Sequence, residues 1–247
     1  MTMGTRPRFV PLVFVVLATS CIFGGSPSRA ADELRELASK VETATYAAVY
    51  RFAFTRQFAP GITTRMEVTQ QPPVTVRKVD TTTKPAEGKT ITITSWFIHN
   101  ADGDFVCNSY TQVGVRCSKT ALARTSFGSE KLDLFFDTPR HEDSFVSVRK
   151  GSRSERIKGQ QATCFEAVPA PPSPEAASPE PTDERFRYEL CYASDGILLR
   201  GKRTTLDDSG TTANAESFVE IVSLSRVVEP RELRLPGEVV EPGDLPG

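Results

Sequence analysis

Side chains able to do chemistry are sparse in this chain. Five cysteines, at 21, 107, 117, 164 and 191, and two histidines, His99 and His141, are its only thiol and imidazole groups. A structural or catalytic zinc site needs several such ligands at short spacing, and neither a C-x-x-C nor a Cys/His cluster occurs. The strings G-x-S-x-G, H-E-x-x-H, G-x-x-x-x-G-K and G-x-G-x-x-G are absent as well. Asn100-Ala101-Asp102-Gly103-Asp104 spaces its carboxylates as a calcium loop begins, but Thr111 stands where the closing bidentate Glu belongs. Asp102-Gly103 therefore reads as a hairpin turn, and Asp207-Asp208 as a solvated one. A hydrolase assembled around His99 or His141 would need polar groups converging in a cleft. No catalytic residue, metal or cofactor is assigned, and the chain is not expected to be an enzyme.

The cysteines point elsewhere. Arg6 and Arg8 precede an apolar run from Phe9 to Ala18, and Thr19, Ser20 and Cys21 follow. This is the layout of an export signal over residues 1–20. The apolar stretch falls short of the roughly 20 residues a spanning helix requires. Leu17-Ala18-Thr19-Ser20-Cys21 resembles a lipobox, with Ala18 where a leucine is usual, which makes Cys21 the lipidation site and residues 21–31 its tether, rich in Gly and Ser. Cleavage after Ser28-Arg29-Ala30 is the alternative and would release the chain as a secreted or periplasmic protein. Either way Cys107, Cys117, Cys164 and Cys191 remain, an even set suited to an oxidising compartment. Each neighbouring pair flanks a hairpin connection, so Cys107 is expected to bond Cys117, and Cys164 to bond Cys191. The second pairing sets Glu166 opposite Glu189, an unfavourable like-charge contact that a bulge would relieve.

Composition sets wider limits. Thirty Lys plus Arg stand against 31 Asp plus Glu in 247 residues, and no basic run occurs. That leaves no footprint for a phosphate backbone, so nucleic acid is excluded as a partner. With 38% hydrophobic residues the chain can bury a core. Removing the leader with Arg6 and Arg8 takes the net charge from −1 to −3.

The elements that would position any site follow from periodicity. Leu34, Leu37, Ala38 and Val41 mark one face of a helix over residues 31–45. From Tyr46 the period drops to two, with Tyr50, Phe52 and Phe54 on one side of a strand. Further strands are expected over residues 62–70, 74–79, 90–99, 105–107 and 115–117, then 145–150, 156–168, 186–192, 197–205 and 213–228. Short turns without crossover helices make the sheet antiparallel. Residues 119–137 break this rhythm and read as one or two short helices. Residues 169–183 hold 6 prolines and form a disordered loop inside one domain that runs over residues 32–235. The Pro-, Gly- and acid-rich end, residues 236–247, reads as a disordered tail.

Two further segments carry a resemblance. Gly159-Gln160-Gln161-Ala162-Thr163-Cys164-Phe165 and Glu189-Leu190-Cys191-Tyr192-Ala193-Ser194-Asp195-Gly196-Ile197-Leu198-Leu199 resemble a pattern of bacterial lipoproteins related to the LolA/LolB and LppX/LprG lipoprotein-carrier superfamily. The order of signal, tether, helix, strands, helical interruption and strands is similar to that group. The resemblance implies an α+β fold: an antiparallel, strongly curved sheet, an unclosed β-barrel, packed over the N-terminal helix and the mid-chain helical segment. It also implies an apolar cavity for lipid or acyl chains. Strand alternation and the mid-chain segment then nominate Phe52, Phe54, Met66, Ile93, Trp96, Phe97, Leu122 and Phe135 as ligand-binding residues.

Two functions follow from that resemblance. The first is an exported lipoprotein, anchored on the extracytoplasmic face of the cell membrane, that binds a lipid for transport across the cell envelope. The second is an anchored interaction or sensing module with a filled core and an envelope protein partner. An acyl-sized cavity distinguishes the first from the second, which needs an exposed apolar patch or edge.

Overall fold

A computed structural model of the chain describes residues 27–54, 62–84, 88–110, 113–120, 135–136, 138–140, 145–151, 154–169, 185–206 and 212–241. Helix α1 spans Pro27–Ser39 and passes into a 3₁₀ turn at Lys40–Thr43. Its start at a proline suits a position whose N–H has no helical partner. Leu34, Leu37 and Ala38 are buried along one stripe, as their spacing requires. Among the described residues no helix is long and apolar enough to cross a membrane.

The strands come in two meanders. The first comprises β1 (Tyr46–Phe54), β2 (Ile62–Gln71), β3 (Val74–Thr83), β4 (Ile91–Asn100), β5 (Gly103–Tyr110) and β6 (Gly114–Lys119). The second comprises β7 (Phe145–Lys150), β8 (Glu155–Ile157), β9 (Gln160–Pro169), β10 (Arg185–Tyr192), β11 (Leu198–Leu206) and β12 (Thr212–Ser225). β12 returns to pair with β1, so the two meanders fuse into one sheet, while β8 pairs only with β9. Expected strand 156–168 is split in two by a turn at Lys158-Gly159, where both residues take positive φ. The turn into β5 lies at Ala101-Asp102, with Gly103 at φ +128° opening the strand.

Two findings correct the sequence reading of the sheet. A two-residue strand, β13 (Glu238–Val239), runs parallel to β6 within the segment expected to be a disordered tail. The strand order then has two ends, β13 and β7. The sheet is open, mostly antiparallel, and neither closed nor strongly curled, in place of the expected strongly curved shell.

Coverage of the faces explains this. The larger core packs α1 and Phe135 against β1, β2 and β9–β12, burying Tyr50, Met66, Phe165, Leu190, Val219 and Ile221. A second cluster, Val76, Ile98, Phe105 and the Cys107–Cys117 bridge, lies on the opposite face of β3–β6, where Leu235 packs against it. The 3₁₀ turn Pro230–Leu233 sits over β2 and β3. With covers on opposite faces, the two halves are not drawn round a common axis. Of the mid-chain helical segment, Phe135-Phe136 is helical and Thr138–Arg140 forms a 3₁₀ turn; Leu122 and residues 121–134 lie outside the described residues.

Candidate functional site

A cavity of about 780 Å³ is lined by the end of α1 and the 3₁₀ turn after it, through Ala38, Val41 and Glu42, and by residues of β1–β4. Register decides which side chains reach it. On β1 the even positions face α1, and their cross-strand partners are Gln70 for Tyr46, Val68 for Ala48 and Met66 for Tyr50. The same face continues through Thr75, Arg77 and Val79 on β3 and Phe97 and His99 on β4. Val68 and Phe97 from the sheet, Val41 from the 3₁₀ turn, and Phe135 and Phe136 form the apolar part of the wall. Leu198 and Gly196 close it beside the β10–β11 turn.

Three local features hold this wall in place. Gly196, at φ +80°, brings the turn so close to α1 that a Cβ there would lie 2.4 Å from the Leu37 carbonyl oxygen. Gly201 leaves room for the Phe135 ring, which a Cβ would approach to 2.4 Å. The Gln70 side-chain amide donates to the Val41 carbonyl and, at 3.1 Å, to that of Ala44, fixing the chain between helix and sheet. Phe136 meets Tyr50 edge to face at 5.2 Å, and Phe135 meets Tyr188 at 5.9 Å.

The polar groups are few and specific. Arg77 and Arg140 both line the cavity. Arg140 donates to the Phe136 carbonyl through Nε at 3.0 Å and Nη2 at 2.8 Å, and reaches Glu42 at 3.4 Å. His99 Nδ1 lies 2.6 Å from Asp104 Oδ1. Tyr50 and Tyr192 are 1% and 2% exposed, and the hydroxyl of each is buried without a hydrogen-bond partner. Burial pushes both phenols up, Tyr50 well above its ordinary value, so each is a neutral donor at any physiological pH.

The residues named from sequence fall into four groups. Phe97 and Phe135 line the cavity. Phe52 and Met66 are buried in the same core, Phe52 with its ring 6.4 Å from that of Phe136. Trp96 and Ile93 lie elsewhere. Trp96 alternates with Phe97, so it faces the second cluster on the opposite side of the sheet, and Ile93 shares the Phe97 face but is 60% exposed. The side chain of Phe54, and the whole of Leu122 and Cys21, lie outside what is described. Sequence reading missed Arg77, Arg140, Gln70 and Tyr192. Arg77 left one signal, a cation on the inward parity of β3 between Thr75 and Val79.

Away from the cavity, both cysteine pairs are bonded, Cys107 to Cys117 and Cys164 to Cys191, each with Cα atoms 4.0 Å apart. Glu155 lies beside the second bridge, but its two sulfurs are spent on each other and offer no thiolate to a metal.

No protein-family profile matches the sequence, and none of the curated proteins compared with it matches. Among solved structures the chain is similar to LprF from Mycobacterium bovis, with a TM-score of 0.46 and 10% identity over 85% of this chain and 97% of that one. It is also similar to MucB, solved in complex with MucA(peri), with a TM-score of 0.42 and 13% identity over 83% of this chain. It spans 58% of that MucB chain.

Proposed function

We propose that this chain is an exported lipoprotein, anchored through Cys21 on the extracytoplasmic face of a membrane, that binds a lipid or acyl chain for transfer across the cell envelope. The observation that carries this reading is the cavity. Its volume of about 780 Å³ falls within the range of small-molecule sites, about 300–1,000 Å³. Its walls are mainly aliphatic and aromatic, and apolar surface taken from water there contributes about 25 cal/mol per Å². Phe97 and Phe135 are the proposed contacts, backed by Phe52 and Met66. Two disulfides suit an oxidising compartment outside the cytoplasm.

The test uses the full chain carrying Cys21→Ser, which blocks acylation. Native mass spectrometry with organic extraction should find lipid at one equivalent, lost on Phe97→Glu. A mass that stays free of ligand after incubation with phospholipid vesicles overturns the carrier. The second reading, a module that docks a protein partner, then gains, with the exposed Ile91 and Ile93 of β4 as its apolar patch.

A further inference from the structure

We infer that the edge of β6 is a docking site for an extended, acidic segment of another protein, which joins the sheet there as a strand, and that residues 235–240 of this chain occupy part of that site in cis.

The edge offers more pairing than this chain's own segment takes up. Among the described residues β13 is the one strand beside β6 on the side away from β5. Its two residues stand next to Arg116 and Cys117, whereas β6 runs from Gly114 to Lys119. The Val240 N–H donates to the Cys117 carbonyl at 2.8 Å, so Cys117 turns its main-chain groups toward the edge. Alternation along the strand turns those of Val115 and Lys119 the same way. Pro236 and Pro242 bracket the short strand, and neither has an N–H with which to lengthen the ladder. A longer antiparallel strand would use the whole edge, and pairs slightly better per residue than the parallel one it replaces.

The seated segment shows which chemistry the edge accepts. Leu235 packs on the cluster of Val76, Ile98, Phe105 and the Cys107–Cys117 bridge. Gly237 passes so close that a Cβ there would lie 2.2 Å from the Val115 carbonyl oxygen. Glu238 pairs with the Arg116 guanidinium, and Lys119 is exposed at the end of the strand. These two cations select the occupant. A second copy, pairing edge to edge, would set its own Arg116 and Lys119 near the same groups, and like charges facing across a strand pair are destabilising. An acidic strand instead supplies carboxylates where Glu238 supplies one now. Peptides that extend a sheet take their affinity from main-chain bonds and their specificity from such side-chain contacts.

The experiment follows, by fluorescence anisotropy, two labelled peptides on the full chain carrying Cys21→Ser: Leu-Thr-Val-Glu-Val-Thr-Glu-Val, and the same peptide with lysine for both glutamates. Gly237→Val leaves the edge intact but has no room for its side chain, so it evicts the seated segment and should tighten the acidic peptide about tenfold. Glu238→Lys should act in the same direction more weakly, and serves if Gly237→Val fails to fold. Adding Arg116→Glu should reverse the preference toward the lysine peptide, a switch that misfolding does not produce. Hydrogen exchange should show the amides of Val115, Cys117 and Lys119 protected by the acidic peptide. Absence of binding to both the Gly237→Val and Glu238→Lys chains overturns the inference and leaves residues 235–240 as a cover that blunts the edge. Affinity unchanged by either variant overturns the occupation in cis, and equal binding of the two peptides overturns the acidic partner. Dimerisation of the Gly237→Val chain in sedimentation overturns it in favour of a second copy.

Discussion

Arg200 shows how one side chain settles a conflict that the strand register creates. β9 and β10 place Cys164 opposite Cys191 and therefore Glu166 opposite Glu189, with no bulge between these strands. The irregularity near Cys191 lies on the other side of β10, against β11. Relief comes instead from arginines: Arg200 reaches Glu189 at 2.5 Å and both oxygens of Glu155 at 2.7 Å, while Arg187 approaches Glu166 at 3.5 Å. Arg200 hydrogen bonding holds the Glu155 carboxyl below its ordinary value of 4.5. Replacing Arg200 by Met should cost about 1–2 kcal/mol, modest because the cluster is partly solvated. A carboxyl depressed by folding contributes stability above its unfolded value and loses it as pH falls through the folded one. The gap in thermal midpoint between wild type and Arg200→Met should therefore be full at pH 7 and shrink below pH 4.5. A gap that is constant with pH would assign the loss to packing of the arginine stem.

Helix α1 and the β10–β11 turn meet as elements at Gly196. Its positive φ and the 2.4 Å approach to the Leu37 carbonyl leave no space for a side chain, and the obstacle is backbone on both sides, since Val41 N lies 2.6 Å away. Gly196→Ala should destabilise by about 1–3 kcal/mol. It should also lift the end of α1 from the cavity and speed ligand release, read as a faster off-rate for a bound acyl probe. Loss of stability with an unchanged off-rate would separate the helix from the gate. Such contacts mark where sequence stops being informative. Alternation made Tyr50 and Phe52 legible as one face of β1, and the spacing of Leu34, Leu37 and Ala38 located α1. Trp96 and Phe97, adjacent in sequence, could not be sorted without knowing which face each half of the sheet covers. Tyr50, Arg77, Arg140 and Tyr192 reach one cavity lining from four separate segments, and no local period encodes that. The parallel strand at Glu238 was hidden by a composition that favours disorder, because its pairing is supplied by β6 and not by its own side chains.

At the scale of the molecule the two bridges divide the work as the two cores do. Cys107–Cys117 lies within the cluster under the C-terminal segment, and Cys164–Cys191 staples the meander beneath α1. In the chain-entropy account, closing loops with separations of 10 and 27 residues contributes about 2.7 and about 3.6 kcal/mol respectively. Together that rivals the whole stability of an ordinary domain, about 5–15 kcal/mol. Reduction with dithiothreitol should thus move the urea midpoint sharply down. Cys164→Ala/Cys191→Ala should cost more than Cys107→Ala/Cys117→Ala, because its loop is longer and it serves the larger core. Hydrogen exchange makes the division testable: loss of the first bridge should expose amides of β4–β6 before those of β9–β11, and loss of the second should reverse the order. Uniform exposure in both variants would mean the open sheet unfolds as one unit. Since the cavity wall draws on β4 as well as β10, a sheet that opens in two stages would release a bound lipid at the first.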